Sequence, residues 1–278
     1  MALTTFQDYV RSKYPEGSGT VYSYIKALQI LDDIFRRANL SDMIGGGNNL
    51  SLSQIKDPVR VAEIIRFVAQ EEDKFRHGQS SIFDYVNPNQ TSYPRNRFCT
   101  AAIRQLGKYV DSVCAQEASL IMNDSEVSGE KLSIKLRKLL NIDVEGTEME
   151  TQVRRRVGQE VFRSLLLDIY HSRCCLTGID VPEVLRASHI IPWAESKTTR
   201  LNLENGLCLS ATYDAAFDRH LISFDEDYRL ILSPTVKEAY TSASFNTYFR
   251  SYEGQRIEMP SKYLPSQNFL QKHRDSLV

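Results

Sequence analysis

Three segments in the C-terminal half of the chain decide its fold. They read Ser188-His189-Ile190-Ile191-Pro192-Trp193, Asn205-Gly206-Leu207-Cys208-Leu209 and Tyr213-Asp214-Ala215-Ala216-Phe217-Asp218. The first predicts a strand that ends at a histidine. The second predicts a turn followed by a strand, because Asn and Gly both suit the positive φ of tight turns. The third predicts a helix that carries two aspartates four residues apart.

These residue types point to phosphodiester hydrolysis. Asp214 and Asp218 share one face of the predicted helix, since residues at i and i+4 are neighbours. Two close carboxylates repel each other and have raised pKa values unless a cation lies between them. Oxygen ligands favour a hard divalent ion such as Mg²⁺, which keeps several waters and binds substrate phosphate. A histidine facing that ion, here His189, could deprotonate a water.

Together the three segments resemble the HNH nucleases, a family of the ββα-metal type. In that family a histidine at the end of the first strand is the general base, a middle asparagine braces the loop between the strands, and the following helix supplies metal ligands. His189 and Asn205 match the base and the middle asparagine. Asp214 and Asp218 stand nine and thirteen positions after Asn205, where colicin-like relatives place helix ligands.

The resemblance extends over roughly residues 151–278. One HNH subgroup found in restriction endonucleases is similar in further short runs, which are Gly158-Gln159, Phe162-Arg163, Tyr170, Arg173-Cys174-Cys175-Leu176-Thr177-Gly178 and Phe217-Asp218-Arg219-His220-Leu221-Ile222. The resemblance implies a DNA endonuclease that depends on Mg²⁺ or Mn²⁺ and acts in restriction or phage defence. It also implies products with 5′-phosphate and 3′-hydroxyl ends.

Three positions depart from the family pattern. Ser188 stands where many HNH proteins have an aspartate or histidine ligand, so the ion would depend on the helix aspartates or on water. Tyr213 replaces a histidine of close relatives, and His220 replaces a usual glycine and alternatively caps a helix. The candidates for a phosphate contact or for the metal shell are therefore Ser188, His220, Arg173 and Arg186.

The chain is predicted to form two domains and an α+β fold. Helical stripes dominate the first half, in residues 20–38, 58–68, 98–121 and 133–140. Asp57 at the N-cap and Pro58 just inside are predicted to open the second of these helices. The acidic segment 141–151 lacks a stripe and is interpreted as a linker between a helical domain, residues 1–145, and a nuclease domain, residues 151–278. The helical domain would recognise a target or a partner, and Arg95, Arg97 and Arg104 suit contact with either DNA or protein.

The nuclease half mixes helices and strands. The sequence predicts a helix from Arg154 to about His171, strands within residues 174–190, a short strand at 207–209, a helix at 211–220, a hairpin at 221–232, a helix at about 235–250 and an irregular tail. His171 and His273 lie outside any motif and are expected at the surface. Trp193 is expected to anchor the loop by packing.

Composition limits the remaining possibilities. With 34 Lys and Arg against 35 Asp and Glu in 278 residues, the net charge of −1 excludes a globally basic, histone-like binder. No apolar run approaches the 18–20 residues of a membrane span, and Gln7 and Asp8 interrupt any signal peptide. Five irregularly spaced cysteines indicate a reducing cytoplasm, buried thiols and no structural zinc.

Two rival functions remain open at this point. The departures at Ser188 and Tyr213 fit a non-catalytic DNA-binding module with a decayed site. A nuclease toxin delivered to other cells would carry the same motif. One ββα domain makes one nick, so cleavage of double-stranded DNA favours a homodimer or two binding events.

Overall fold

The computed structural model describes residues 5–45, 51–86, 89, 97–123 and 127–278. The chain divides into two compact units. The first unit comprises Met1–Gln116 and Gly146–Val157, and the second comprises Glu117–Glu145 and Gly158–Val278. The segment 117–145, which the sequence analysis placed in the helical domain, thus groups with the unit that contains the HNH-like motif.

The first unit is built from helices. They are α1 (Phe6–Lys13), α2 (Gly19–Arg37), α3 (Pro58–Arg76) and the first part of α4 (Phe98–Asn123). Asp57 accepts a hydrogen bond from the Val59 amide and so caps α3 beside Pro58, as the sequence predicts. Helix α2 buries a stripe of apolar residues, namely Ala27, Leu28, Leu31, Ile34 and Phe35.

The second unit begins with the end of α4 and continues with α5 (Gly129–Leu139) and the later part of α6 (Glu148–Ile169). Strand β1 (Leu185–His189) pairs antiparallel with β2 (Gly206–Ser210), in a register that places Leu185 opposite Ser210 and His189 opposite Gly206. Strand β2 runs directly into α7 (Ala211–Phe217). The ββα order that the resemblance implies is therefore present.

Further elements complete this unit. Strands β3 (Ile222–Phe224) and β4 (Leu230–Leu232) form the predicted antiparallel hairpin. They are followed by α8 (Pro234–Ala239), α9 (Ala243–Tyr248) and α10 (Gln267–Arg274). The α+β class is confirmed.

Four predictions about local structure are wrong in detail. Residues 174–184 are not a strand, because Gly178 turns the chain at positive φ and the Cys174 amide closes that turn on the Ile179 carbonyl. The helix at 235–250 is broken, because the Ser242 side chain caps a new helix. Helix α6 starts at Glu148, inside the predicted linker. The tail contains α10, whose two turns are too short for a clear stripe.

The predictions about cysteines and membrane spans have clear outcomes. All five cysteines are buried free thiols, as expected, and burial raises the pKa of Cys208 to about 12. In the described parts of the chain, no helix combines the length and the apolar character that a membrane span requires.

Candidate active site

His189 lies at the end of β1, and its ring is held by one backbone group. Its Nε2 lies 3.0 Å from the carbonyl oxygen of Arg200. A carbonyl only accepts, so Nε2 must carry the hydrogen and the neutral ring keeps its lone pair on Nδ1. Burial lowers the pKa of His189, although the bond to Arg200 acts in the opposite direction. The ring is therefore neutral near pH 7, in the state that a general base requires.

Aromatic packing sets the plane of this ring. Phe162 of α6 stacks on His189 with centroids 3.9 Å apart and planes at 15°. Trp193 meets the same ring edge-on at 5.7 Å, and the Arg200 guanidinium lies over the Trp193 ring. Trp193 thus packs in the loop as predicted. Phe162 belongs to one of the short runs shared with the HNH subgroup, but nothing in that run indicates the stacking.

Asn205 braces the loop between the two strands. Its side chain is fully buried, and its Oδ1 accepts a hydrogen bond from the Ile191 amide at 2.8 Å. Its Nδ2 donates to the carbonyl oxygens of Ile191 at 3.0 Å and Thr199 at 3.3 Å. One amide therefore ties both ends of the loop, and the second of these contacts adjoins the Arg200 carbonyl that holds His189.

Ser188 and Asp214 form a second cluster, between β1 and α7. Ser188 is buried, and its hydroxyl donates to Asp214 Oδ1 at 2.5 Å. This short, charge-assisted bond orients the carboxylate. Asp218 follows one helical turn later at the C-terminal cap of α7, where its amide bonds to the Asp214 carbonyl. Partial burial and then the charge of Asp214 raise the pKa of Asp218.

A comparison with protein families bears on these clusters. Residues 174–225 match the HNH endonuclease family. That segment contains His189, Asn205, Asp214 and Asp218, together with the two strands and the helix that position them. An HNH endonuclease domain is present in this chain. No curated protein sequence matches the chain.

In this HNH domain, Gly206 has another role than the one inferred from the Asn-Gly pair. Asn205 ends a short 3-10 turn, and Gly206 is extended, with φ −135° and ψ 145°. The prediction of a positive-φ turn is therefore wrong. A Cβ on Gly206 would lie 2.6 Å from the Leu166 side chain and 2.8 Å from Phe162. Glycine is needed because α6 packs directly on the start of β2.

The HNH domain offers few protein ligands for a metal ion. Over the residues that the structure describes, no three His, Cys, Asp or Glu side chains come together as a metal-binding group. The available oxygen donors are two carboxylates, from Asp214 and Asp218, and the Ser188 hydroxyl. Mg²⁺ is commonly held by only one or two carboxylates, with waters and substrate phosphate completing its octahedron. The donor set therefore fits Mg²⁺ or Mn²⁺.

His220 and His273 form a pair beside the end of α7. His220 has a φ of +53°, a conformation that favours the glycine usual at this position, and its ring centroid lies 4.5 Å from that of His273. His220 Nδ1 is buried and, among the described residues, meets no hydrogen-bond partner. The expectation that His273 lies at the surface is wrong, since its side chain is 4% exposed and stacks on Phe217.

The other predicted residues make local contacts or serve packing. Arg173 is 3.8 Å from Asp180, and the Arg186 guanidinium donates to the carbonyls of Glu183 and Leu185. Tyr213 is buried, and its hydroxyl donates to the carbonyl of Tyr248. Packing therefore accounts for the tyrosine that replaces the family's histidine.

The three arginines suggested for DNA or protein contact in the helical domain differ in their surroundings. Arg95 lies outside the described residues. Arg97 forms an ion pair of 2.6 Å with Asp73, and Arg104 is exposed on α4. An ion-paired arginine is a weaker candidate for a phosphate contact than an exposed one, because its charge is already partly neutralised.

Proposed function

We propose that this protein is a metal-dependent DNA endonuclease that hydrolyses phosphodiester bonds and leaves 5′-phosphate and 3′-hydroxyl ends. The observation that carries the proposal is the bond between His189 Nε2 and the Arg200 carbonyl. This bond selects the tautomer in which Nδ1 can accept a proton. His189 also directly follows Ser188, whose hydroxyl orients Asp214.

His189 performs the proton transfer in this proposal. Nδ1 takes a proton from the attacking water, and the positive charge that develops on the ring is stabilised through Nε2 by the Arg200 carbonyl. The lowered pKa keeps His189 unprotonated at neutral pH, so the base is ready before substrate binds. Phe162 and Trp193 restrict the ring to one orientation.

Asp214 and Asp218 supply the negative charge that attracts a cation. HNH nucleases generally use divalent metal ions, and the oxygen donors of this chain fit Mg²⁺ or Mn²⁺. When bound, the ion would neutralise charge on the phosphate and on the leaving oxygen. Ser188 acts on Asp214, because its donated hydrogen bond fixes one carboxylate oxygen and leaves the other available.

We place this activity in restriction or phage defence. The helical N-terminal region would then select the target, by its sequence, its modification or a partner. His220 stays a candidate for a phosphate contact, since its buried Nδ1 meets no hydrogen-bond partner among the described residues. A homodimer, or two binding events, would supply the second nick that a double-strand break needs.

The test is nicking of supercoiled plasmid by the wild-type protein and two histidine variants. We expect cleavage with Mg²⁺ or Mn²⁺, none with EDTA, and a loss of about 10² to 10⁴ in rate for His189→Ala. The control is His171→Ala, which removes an exposed histidine and should keep full activity. End-labelling of the nicks should show 5′-phosphates.

One result would support a rival function. If the wild-type protein binds DNA but cleaves it with neither ion, on modified or unmodified substrate, the domain is a DNA-binding module with a decayed site. Ser188 at the usual ligand position is the observation that makes this rival specific. Full activity of His189→Ala would instead retain the nuclease and remove His189 from its mechanism.

A further inference from the structure

Helix α5 lies upstream of the family-matched segment and packs on the loop between β1 and β2. Its buried residues are Gly129, Leu132, Ser133 and Leu136. The two leucines face the core, whereas the glycine and the serine meet the loop backbone and the turn that ends it. Nothing in the HNH motif itself requires this helix.

Two contacts join α5 to the loop. The Ser133 hydroxyl, on a side chain that is 1% exposed, donates to the Thr198 carbonyl at 3.2 Å. At the helix start, the Gly129 amide donates to Glu204 Oε1 at 3.3 Å. A Cβ on Gly129 would lie 2.4 Å from Asn202 Oδ1, so only glycine allows this approach. The carboxylate at the helix N-terminus is also favoured by the helix dipole.

Three successive carbonyls of the loop are thereby fixed by three different side chains. Thr198 accepts from Ser133, Thr199 from Asn205 at 3.3 Å, and Arg200 from His189 at 3.0 Å. Neighbouring peptide planes are coupled, since only two soft dihedral angles separate them. The Thr199 carbonyl also accepts a hydrogen bond from the Asn202 amide at 3.1 Å. Release of the Thr198 carbonyl would leave the segment held at Thr199 alone, so that the Arg200 carbonyl could shift relative to His189.

We propose that Ser133 is a positioning residue for His189, acting through the backbone of residues 198–200. The expected effect on the rate of cleavage rests on the proposed function. The expected effect on the tautomer of the His189 imidazole does not. Without the Ser133 bond, Nε2 loses a fixed acceptor and the neutral ring divides between its two tautomers. Only the tautomer with the hydrogen on Nε2 has Nδ1 available as a base.

The test combines nitrogen-15 spectroscopy of His189 with nicking kinetics for Ser133→Ala. At a pH above the titration of His189, we expect one tautomer with hydrogen on Nε2 in the wild-type protein and a mixture in the variant. We expect kcat to fall about tenfold. This is less than the roughly 10²-fold loss that follows when a catalytic group is misplaced by 1 Å. KM for DNA should not change, because Ser133 is buried and contacts no substrate.

Ser261→Ala is the control for the loss of a hydroxyl–carbonyl bond, at a serine that is exposed. Its hydroxyl also donates to a distant carbonyl at 3.2 Å, that of Ile169, in the same unit of the chain. Both variants lose one hydroxyl–carbonyl bond, but only Ser133→Ala should alter the tautomer and kcat. Should Ser133→Ala fail to fold, Ser133→Cys fills the space with a slightly larger thiol, which is a weak donor, and should show the same two changes.

Separate results decide the two proposals. An unchanged tautomer in Ser133→Ala, or an equal loss of kcat in both serine variants, would overturn the positioning role. A wild-type protein without nuclease activity would sink the proposed function, while the spectra would still decide whether Ser133 holds His189.

Discussion

Replacement of Asn205 by aspartate tests how the HNH loop is held. The two side chains have nearly the same shape, so Asn205→Asp creates no cavity. The new carboxylate can still accept a hydrogen bond from the Ile191 amide. It cannot donate to the carbonyls of Ile191 and Thr199, and when ionised it places a charge against both oxygens.

The loss of stability follows from these contacts. Two hydrogen bonds of about 1 kcal/mol each disappear, and a buried charge without a compensating partner adds a few kcal/mol. We expect the free energy of unfolding to fall by about 4 kcal/mol at pH 8, a large part of the roughly 5–15 kcal/mol of a typical domain. Burial and the facing carbonyls should raise the pKa of the new carboxyl in the folded state. Its cost therefore develops as pH rises through that pKa and diminishes at lower pH.

The assay is urea unfolding at pH 8 and pH 5, with nicking measured well below the melting temperature. Asn246→Asp is the control, since Asn246 is exposed and its amide also donates to a backbone carbonyl, that of Thr241 at 3.4 Å. We expect Asn205→Asp to regain part of its stability at pH 5 and Asn246→Asp to stay near wild type throughout. A loss below about 0.5 kcal/mol for Asn205→Asp at pH 8 would refute the bracing role.

Four further predictions concern the aspartates of α7, His273 and Gly158. Asp214→Asn and Asp218→Asn should each weaken Mn²⁺-dependent nicking, Asp214→Asn more strongly, and the double variant should lose less than the sum because both act through one ion; wild-type activity of Asp214→Asn would exclude it as a ligand. Burial and the charge of Asp214 raise the pKa of Asp218, which means that the ionised carboxylate does not stabilise the folded state. Asp218→Asn should therefore not lower the melting temperature in EDTA. Burial lowers the pKa of His273 to about 4, so the unfolded chain binds a proton at this residue before the folded chain does, and the free energy of unfolding falls as pH drops from about 6.5 to about 4. This loss of about 3 kcal/mol should be absent in His273→Asn. Equal pH profiles of urea unfolding for the wild-type protein and the variant would contradict the prediction. Gly158→Ala would place a Cβ 2.9 Å from the Trp193 ring and should cost about 1–3 kcal/mol by thermal melting, whereas an unchanged melting temperature would show that the ring can shift.

An apolar cavity of about 480 Å³ in the second unit is separate from these predictions. Thr212 and three aromatic residues, Tyr240, Phe245 and Tyr248, contribute to its lining. Thr212 and Asp214 are two positions apart on α7, so they point to nearly opposite sides of the helix. The Asp214 carboxylate that we assign to the cation therefore faces away from this cavity.

Local patterns were sufficient for most of the secondary structure. The spacing of apolar residues and the cap at Asp57 predicted α2 and α3, and the two apolar segments on either side of the acidic turn at residues 225–227 predicted the β3–β4 hairpin. Such features depend on neighbours within a few positions, which the sequence displays directly. The same reasoning missed α10, because two helical turns contain too few apolar residues to form a stripe.

Distant contacts required the fold. The Asn-Gly pair suggested a turn residue, but Gly206 is dictated by Phe162 and Leu166, about forty positions earlier. His273 looked like a surface residue until its ring was found against Phe217. No local pattern records which helix will pack on a given residue, so these two interpretations could not have been corrected from sequence.

The nuclease motif could be identified from the sequence, since residue type and spacing at His189, Asn205, Asp214 and Asp218 are local chemical information. How those side chains are held follows from the folded chain. The tautomer of His189 depends on a carbonyl eleven positions away, and that loop accepts a hydrogen bond from Ser133, in a helix that the sequence assigned to another domain. A hydrogen bond needs two atoms within about 3 Å, and chain folding alone determines which distant atoms meet at that distance.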